Sequence, residues 1–183
     1  MNPEKKKENN ATQESYLGQD VYIPASNWLI VVSLIMALIL NFIPLQRDFL
    51  LLRPDFAALA IAYWNIHHPQ KMGMGIAFMM GLMMDVSNAG VLGQHALAYS
   101  VTVYLTSVFG RRLRLFNPLQ QAPQVGLVLL IMQTIIVLIA LSNGSAPPDW
   151  SYFLATATGI LIWVPTSWIL TQLQKPKPDP DAL

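Results

Sequence analysis

Six apolar runs alternate with short polar stretches along the chain. The stretches are rich in proline, glycine and asparagine, which favour turns and helix ends over helix interiors. We therefore expect one α-helix in each apolar run. The runs are Trp28 to Leu45, Pro54 to Ile66, Met72 to Val86, His95 to Phe109, Pro123 to Leu141 and Trp150 to Leu173.

The length of each run bears on how its helix meets a membrane. An upright spanning helix needs about 20 apolar residues, with a lower limit of about 17. Trp28 to Leu45 is close to this length and lacks the small-residue cleavage site of a signal peptide, so we expect a retained first helix. Pro54 to Ile66 and Met72 to Val86 fall below the limit. Either these two helices extend into the interface or thin the bilayer, or they form a re-entrant pair.

Composition indicates a membrane protein. Of the 183 residues, 54% are hydrophobic and only 11% are charged, which is too few charges to cover a water-soluble surface. The predicted fold class is an all-α polytopic membrane protein, a compact bundle of about six short transmembrane helices over residues 27–173. Polar tails flank this bundle at 1–26 and at 174–183, where proline alternates with charge.

The position of the basic residues predicts the orientation of the bundle. With six spans, only Arg47 and Arg53 fall on one side, and the positive-inside rule makes the opposite side cytoplasmic, together with both termini. Anionic lipid could also bind the arginine cluster on that side, although its role in topology is a sufficient explanation. The net charge of +1 excludes bulk attraction to nucleic acid. The cytoplasmic set is Lys5, Lys6, Lys7, Lys71, Arg111, Arg112, Arg114, Lys175 and Lys177.

One apolar run carries a face of small residues that ends in an acid. Gly73, Ala77, Gly81 and Asp85 are four residues apart, so they share one helical face, and such a face predicts close contact with another helix. An acid in a membrane costs about 2.5–3.5 kcal/mol. Asp85 is therefore either buried against a partner group near the outer end, or it caps the interfacial turn Ser87 to Gly90. A weaker stripe of small residues lies at Ser33, Ala37 and Asn41.

Other candidate groups have simple structural explanations. Asp55 lies in the first turn of its predicted helix, where a carboxylate suits the helix dipole. Six methionines crowd residues 72–84, and core filling or lipid contact explains them better than soft-metal binding. We expect no metal site, because His67 and His68 are predicted on the cytoplasmic side and His95 on the outer side. Without a phosphate loop, nucleophile elbow or HExxH pattern, we expect no enzyme and no cofactor.

A series of short motifs between Arg53 and Leu97 has a characteristic order and spacing. The motifs are Arg53-Pro54-Asp55-Phe56, Tyr63-Trp64, His68-Pro69, the Gly73 and Gly75 pair, Gly81-Leu82-Met83-Met84-Asp85, and Gly90-Val91-Leu92-Gly93-Gln94-His95-Ala96-Leu97. In these motifs the chain resembles the rod shape-determining protein MreD family. Before and after this segment the likeness rests on hydropathy alone.

The resemblance implies a non-enzymatic inner-membrane component of the bacterial complex that elongates the lateral wall. The implied partners are the bitopic protein MreC, the actin-like MreB, the SEDS glycosyltransferase RodA and a class B penicillin-binding transpeptidase. It also implies a fold similar to the substrate-binding subunits of energy-coupling-factor transporters. We expect the small-residue stripe and the start of the second helix to form or support the surface that receives the MreC helix. The residues expected to serve partner binding or packing are Arg53, Pro54, Asp55, Gly73, Ala77, Gly81, Asp85, Gly90 and Gly93.

Two other functions stay open. A vitamin-binding subunit of an energy-coupling-factor transporter would suit the helix count and the small stripes, and it would retain a small molecule through purification. The short glycine-rich stretch Ser87 to Gln94 offers such a ligand few contacts. A proton-driven carrier would need Asp85 to titrate and further acids at mid-depth, where Asp55 is the other candidate. Both functions rank below the rod-complex interpretation.

Overall fold

A computed structural model of the protein describes residues 26–44, 52–88 and 90–174. These stretches contain six α-helices and one 3-10 helix, and they contain no strand. The predicted tails lie outside the described residues, apart from Ser26 and Gln174, as does Arg47. The helices are α1 (Asn27–Phe42), α2 (Phe56–His67), α3 (Met74–Ser87), α4 (Gln94–Leu113), α5 (Pro118–Ser142) and α6 (Leu154–Gln174), with the 3-10 helix Trp150–Phe153 leading into α6.

Each predicted apolar run forms a helix, but the boundaries are shifted by up to five residues, and three of the shifts have a clear cause. Helix α1 ends at Phe42, before the predicted Leu45, because Pro44 disfavours the helical conformation at Ile43. Helix α5 begins at Pro118 and not at Pro123. The first N–H groups of a helix have no helical partner, so a proline in the first turn costs no hydrogen bond. The last run begins as the 3-10 helix Trp150–Phe153.

Helix α2 is the core of the bundle. Every residue from Ala57 to Ile66 is buried, and α1, α4 and α6 pack around it. A helix that is apolar on all sides and enclosed by other helices is a core element, so its 12 residues need not match the bilayer thickness. Burial by neighbouring helices therefore explains the first of the two short runs.

Helix α3 packs along α4 with one face and leaves the other exposed. Gly81 lies against the backbone at the start of α4, where a Cβ atom would overlap Ala96 and come within 2.6 Å of the His95 carbonyl carbon. The methionines divide between the two faces, so core filling is confirmed for three of them and lipid contact stays a prediction for the other three. Met72, Met80 and Met84 are buried, and Met74, Met79 and Met83 are about half exposed.

Two helical segments are long and apolar enough to cross a membrane, Pro118–Ser142 and Trp150–Gln174. Helices α1 and α3 are also apolar but shorter, at 16 and 14 residues. Large apolar side chains are exposed on all four segments, and an exterior of this kind suits lipid better than water. Examples are Ile35, Met79, Leu138 and Leu161.

Charged side chains of the described residues divide between two ends of the bundle. We call the end where α2 and α4 begin the carboxylate end, because Asp55 and Asp85 lie there. We call the opposite end, where α4 finishes, the arginine end, because it holds Arg111, Arg112 and Arg114. Asp149, the remaining acid among the described residues, precedes the 3-10 helix at the carboxylate end.

We predict that Gly81→Ala lowers the melting temperature of the purified protein in detergent. The added methyl group overlaps the α4 backbone, and overpacking of this kind costs about 1–3 kcal/mol. Gly75→Ala is the matched control, because it lies in the same helix with open space around its Cβ position. Alanine gains helix propensity at that site, so the control should melt at the wild-type temperature or above. Equal melting temperatures for the two variants would contradict the packing of α3 on α4.

Candidate functional site

Asp55 links three helices at the carboxylate end. It precedes α2, and its Oδ1 atom accepts hydrogen bonds from the Ala58 backbone N–H at 3.0 Å and from Asn41 Nδ2 at 2.8 Å. Its Oδ2 atom accepts a hydrogen bond from the Tyr99 hydroxyl at 2.7 Å. The predicted role at the helix N-terminus is confirmed. The same carboxylate also connects α2 to α1 and α4.

Asn41 holds the end of α1 against the start of α2. Besides its bond to Asp55, its side-chain oxygen accepts a hydrogen bond from the Phe56 N–H at 3.0 Å. Arg53 adds a second link, because its guanidinium donates to the Ile43 carbonyl at 3.0 Å. Asn41 is buried, and burial of a polar side chain is tolerated when its hydrogen bonds are made in this way.

Asp85 caps the following helix from within the bundle. Only 2% of the residue is exposed. Its Oδ2 atom accepts from the Gly93 N–H, and its Oδ1 atom accepts from the His95 N–H and contacts His95 Nδ1, all at 2.8 Å. The expectation of burial against a partner group is confirmed, and the partner is the first turn of α4. Among the described residues, no hydrogen bond joins the Asp85 side chain to the turn Ser87 to Gly90, so the structure does not support the alternative.

Gly93 makes this capping possible. Its φ of +95° lies in the left-handed region, which glycine adopts without strain. In that conformation its N–H reaches Asp85, and the chain then turns directly into α4. A side chain here would strain the turn, so the glycine predicted as a site residue has a definite structural role.

A cavity of about 410 Å³ opens beside these carboxylates, between the ends of α1 and α3, the starts of α2 and α4, the middle of α5 and the 3-10 helix. Apolar side chains such as Met132 and Ile136 form part of its wall. In the described part of the chain, the Asn88 and Gln94 side chains and the Tyr152 hydroxyl have no hydrogen-bond partner and are available to a polar ligand. The polar residues of the lining are Asn41, Arg53, Asp55, Asn88, Gln94, His95, Gln133 and Tyr152.

A second set of buried polar side chains holds α2 in place nearer the arginine end. Asn65 donates to the Val103 carbonyl at 2.9 Å and to the Thr106 hydroxyl at 2.6 Å, both on α4. The Tyr63 hydroxyl contacts Thr171 at 2.9 Å and accepts from Gln174 at 2.7 Å, both on α6. These groups satisfy one another within the chain, so they explain packing and leave no evident ligand site.

The predicted site residues fall into three places. Around the cavity at the carboxylate end are Arg53, Pro54, Asp55, Gly90 and, through the turn into α4, Asp85 and Gly93. Ala77 and Gly81 are instead buried inside the chain, and Gly73 is exposed where α3 begins. Gly81 faces α4 and therefore does not lie on an open surface. It can support a partner surface by fixing the position of α3.

An apolar groove of about 590 Å³ between α1 and α3 was not predicted. The walls are Ile30, Val31, Leu34, Ile35 and Leu38 from α1, and Gly75, Ile76, Met79, Met80 and Met83 from α3. In each run these apolar residues recur every three or four positions, which indicates that they share one face of their helix. Sequence alone does not show that the faces of two separate runs adjoin.

Tyr99, Gln133 and Tyr152 were also missed by the sequence analysis, although a polar group inside an apolar run signals a buried hydrogen bond.

We predict that Asp85→Asn destabilises the protein by about 1–3 kcal/mol, measured by thermal unfolding in detergent. The amide has one acceptor oxygen where the carboxylate has two, so one buried N–H loses its partner. Asp149→Asn is the matched control, because Asp149 is exposed and its side chain makes no cap hydrogen bond. This control should stay within about 0.5 kcal/mol of wild type. Equal effects of the two variants would exclude the capping role of Asp85.

Comparison with known proteins agrees with the motifs. The family model of the rod shape-determining protein MreD matches residues 24–173. The rod shape-determining protein MreD of Haemophilus influenzae is 28% identical over 149 residues, which are 81% of this chain and 90% of that protein. No solved structure matches the chain significantly. The resemblance is therefore confirmed well beyond residues 53–97, and the chain belongs to the MreD family of rod shape-determining proteins.

Proposed function

We propose that this protein is a non-enzymatic inner-membrane component of the rod complex, which regulates cell shape and lateral peptidoglycan synthesis. In this proposal it acts by helix-to-helix contact with MreC and belongs to one complex with MreB, RodA and a class B penicillin-binding transpeptidase. Membership of a family of rod shape-determining proteins is the observation that carries the proposal. The proposal includes a fold similar to that of the substrate-binding subunits of energy-coupling-factor transporters.

The proposed topology has six membrane helices and both termini in the cytoplasm. The distribution of basic residues supports this orientation. Lys71, Arg111, Arg112 and Arg114 lie at the arginine end, whereas Arg53 is the basic residue at the carboxylate end among the described residues. Basic residues favour the cytoplasmic side of a membrane. The arginine end is then cytoplasmic, and the cavity at the carboxylate end opens towards the outside of the cell membrane.

The groove between α1 and α3 is the surface that we assign to the transmembrane helix of MreC. Its α1 wall, from Ile30 to Leu38, extends about 12 Å along the helix axis. Residues on both walls recur every three or four positions. An apolar helix that binds in a groove presents side chains at the same spacing. Two walls give a helix more van der Waals contact than one flat face, and such contact drives helix association within lipid.

Two residue types favour a helix as the occupant of this groove. Gly75 has open space at its Cβ position, so a partner backbone can approach α3 closely there. Met79 and Met83 are half exposed on the same wall, and their flexible side chains can adapt to an irregular partner. The groove replaces the Gly81 face as the proposed contact surface.

The alternative, a vitamin-binding subunit of an energy-coupling-factor transporter, is favoured by one observation. The 410 Å³ cavity lies within the range of small-molecule sites and has polar side chains in its lining. We place this function second because Asp55 and Asp85 are already fully engaged in hydrogen bonds within the chain. A small molecule that stays bound through purification in mild detergent would favour it.

We predict that Gly75→Leu reduces co-purification of MreC by roughly tenfold, which corresponds to a loss of about 1.4 kcal/mol. The leucine side chain projects into open space, so the protein should insert and fold while the groove is obstructed. Ala157→Leu is the control, because it makes a similar enlargement at an exposed position on α6, away from the groove. The two variants should be compared at equal membrane levels. Wild-type recovery of MreC with Gly75→Leu would reject the groove as the contact surface.

We predict that depletion of the protein in a rod-shaped host produces rounded cells that still contain peptidoglycan. Loss of lateral elongation, with the remaining wall synthesis intact, is the reason for this shape. Microscopy and analysis of isolated walls would measure it, and expression of the wild-type chain should restore rods. Normal rods that require an added vitamin would instead support the transporter function.

A further inference from the structure

We propose that the cleft between α4 and α5 at the arginine end binds an anionic phospholipid, with the lipid phosphate on Arg112 and an acyl chain inside the cleft. This site is separate from the groove assigned to MreC and from the polar cavity at the carboxylate end. The proposal does not depend on the rod-complex function. It rests on the shape of the cleft, the charge at its mouth and the exposure of its walls.

The cleft has a volume of about 320 Å³ and a mainly apolar lining. Leu105 and Phe109 contribute from α4, and Leu127, Val128 and Ile131 contribute from α5. The residues on each helix recur every three or four positions, so each wall is one continuous helical face. These apolar walls suit hydrocarbon and offer no polar contact to a small soluble anion.

Arg112 and Gln124 are the polar residues of the cleft. Arg112 follows Leu105 by seven residues on α4, so it lies about 10 Å further along the helix axis, towards the arginine end. Its side chain is exposed and has no hydrogen bond or ion pair within the described residues. A guanidinium beside the end of an apolar cleft matches the arrangement of a lipid, whose phosphate lies at the membrane surface above its acyl chains.

The charge around Arg112 is uncompensated in the part of the chain that the structure describes. Arg111 and Arg114 lie on either side of it, whereas Asp55, Asp85 and Asp149 are all at the carboxylate end. Like charges this close together repel one another, and a bound anion relieves the repulsion. Basic pockets between helices at a membrane surface are a recognised kind of site for anionic lipid headgroups.

Exposure of the cleft walls favours a lipid over an acidic peptide or free phosphate. Leu127 is 59% exposed and Phe109 is 51% exposed, so the cleft opens sideways where acyl chains lie. Free phosphate would contact Arg112 and leave the apolar walls uncovered. An acidic peptide would bury backbone polar groups against those walls without hydrogen-bond partners.

The test is binding of phosphatidylglycerol and phosphatidylcholine with identical acyl chains to the full chain in detergent, measured by native mass spectrometry. The wild-type protein should retain phosphatidylglycerol about fivefold better, the factor expected from one juxtamembrane cation. Arg112→Gln should remove this preference. Arg114→Gln makes the same change of charge, but Arg114 is outside the cleft and already donates to the Gly110 carbonyl, so most of the preference should remain.

A second pair of variants tests the acyl chain separately from the charge. Leu127→Trp fills the cleft from an exposed position and should reduce retention of phosphatidylglycerol, whereas Leu130→Trp enlarges an exposed residue outside the cleft and should not. Three results would each overturn the proposal. These are equal retention of the two lipids by the wild type, equal losses for Arg112→Gln and Arg114→Gln, and no effect of Leu127→Trp.

Discussion

The bundle depends on two carboxylates that each meet the N-terminus of a helix inside an apolar protein. Asp55 serves α2 and Asp85 serves α4. A helix N-terminus has backbone N–H groups without helical partners, and where they are buried in the protein they need another acceptor. A carboxylate buried alone in the same place would also be costly. Each group satisfies the other, and the two pairs fix the core helix α2 and its neighbour α4.

Neighbouring contacts follow from these two pairs. Once Asp55 has accepted bonds from Asn41 and Tyr99, the end of α1 and the first turns of α4 are tied to the start of α2. Asp85 then brings α4 against α3 closely enough that only glycine fits at position 81. The enclosed α2 can be short because protein surrounds it on all sides.

Much of this fold could be predicted from periodicity and turn residues, because each apolar run corresponds to a helix. The role of Asp55 was also predictable, since a capping residue acts within its own helix. Tyr99 was not, because it lies 44 residues from Asp55 and its contact depends on how α2 and α4 are arranged. The helix that packs against Gly81 could not be predicted for a similar reason. A small-residue stripe predicts close helix contact, but it does not distinguish a partner in the same chain from one in another chain.

The capping of α4 by Asp85 has a consequence for how the protein is made. Asp85 is synthesised before the N–H groups that satisfy it, which follow eight and ten residues later at Gly93 and His95. Until α4 has begun, α3 is a 14-residue segment with an uncompensated charge, and it is poorly suited to leave the translocation channel alone. In the proposed topology, helices α3 and α4 therefore enter the bilayer as a hairpin, and the carboxylate couples the insertion of the first helix to the arrival of the second.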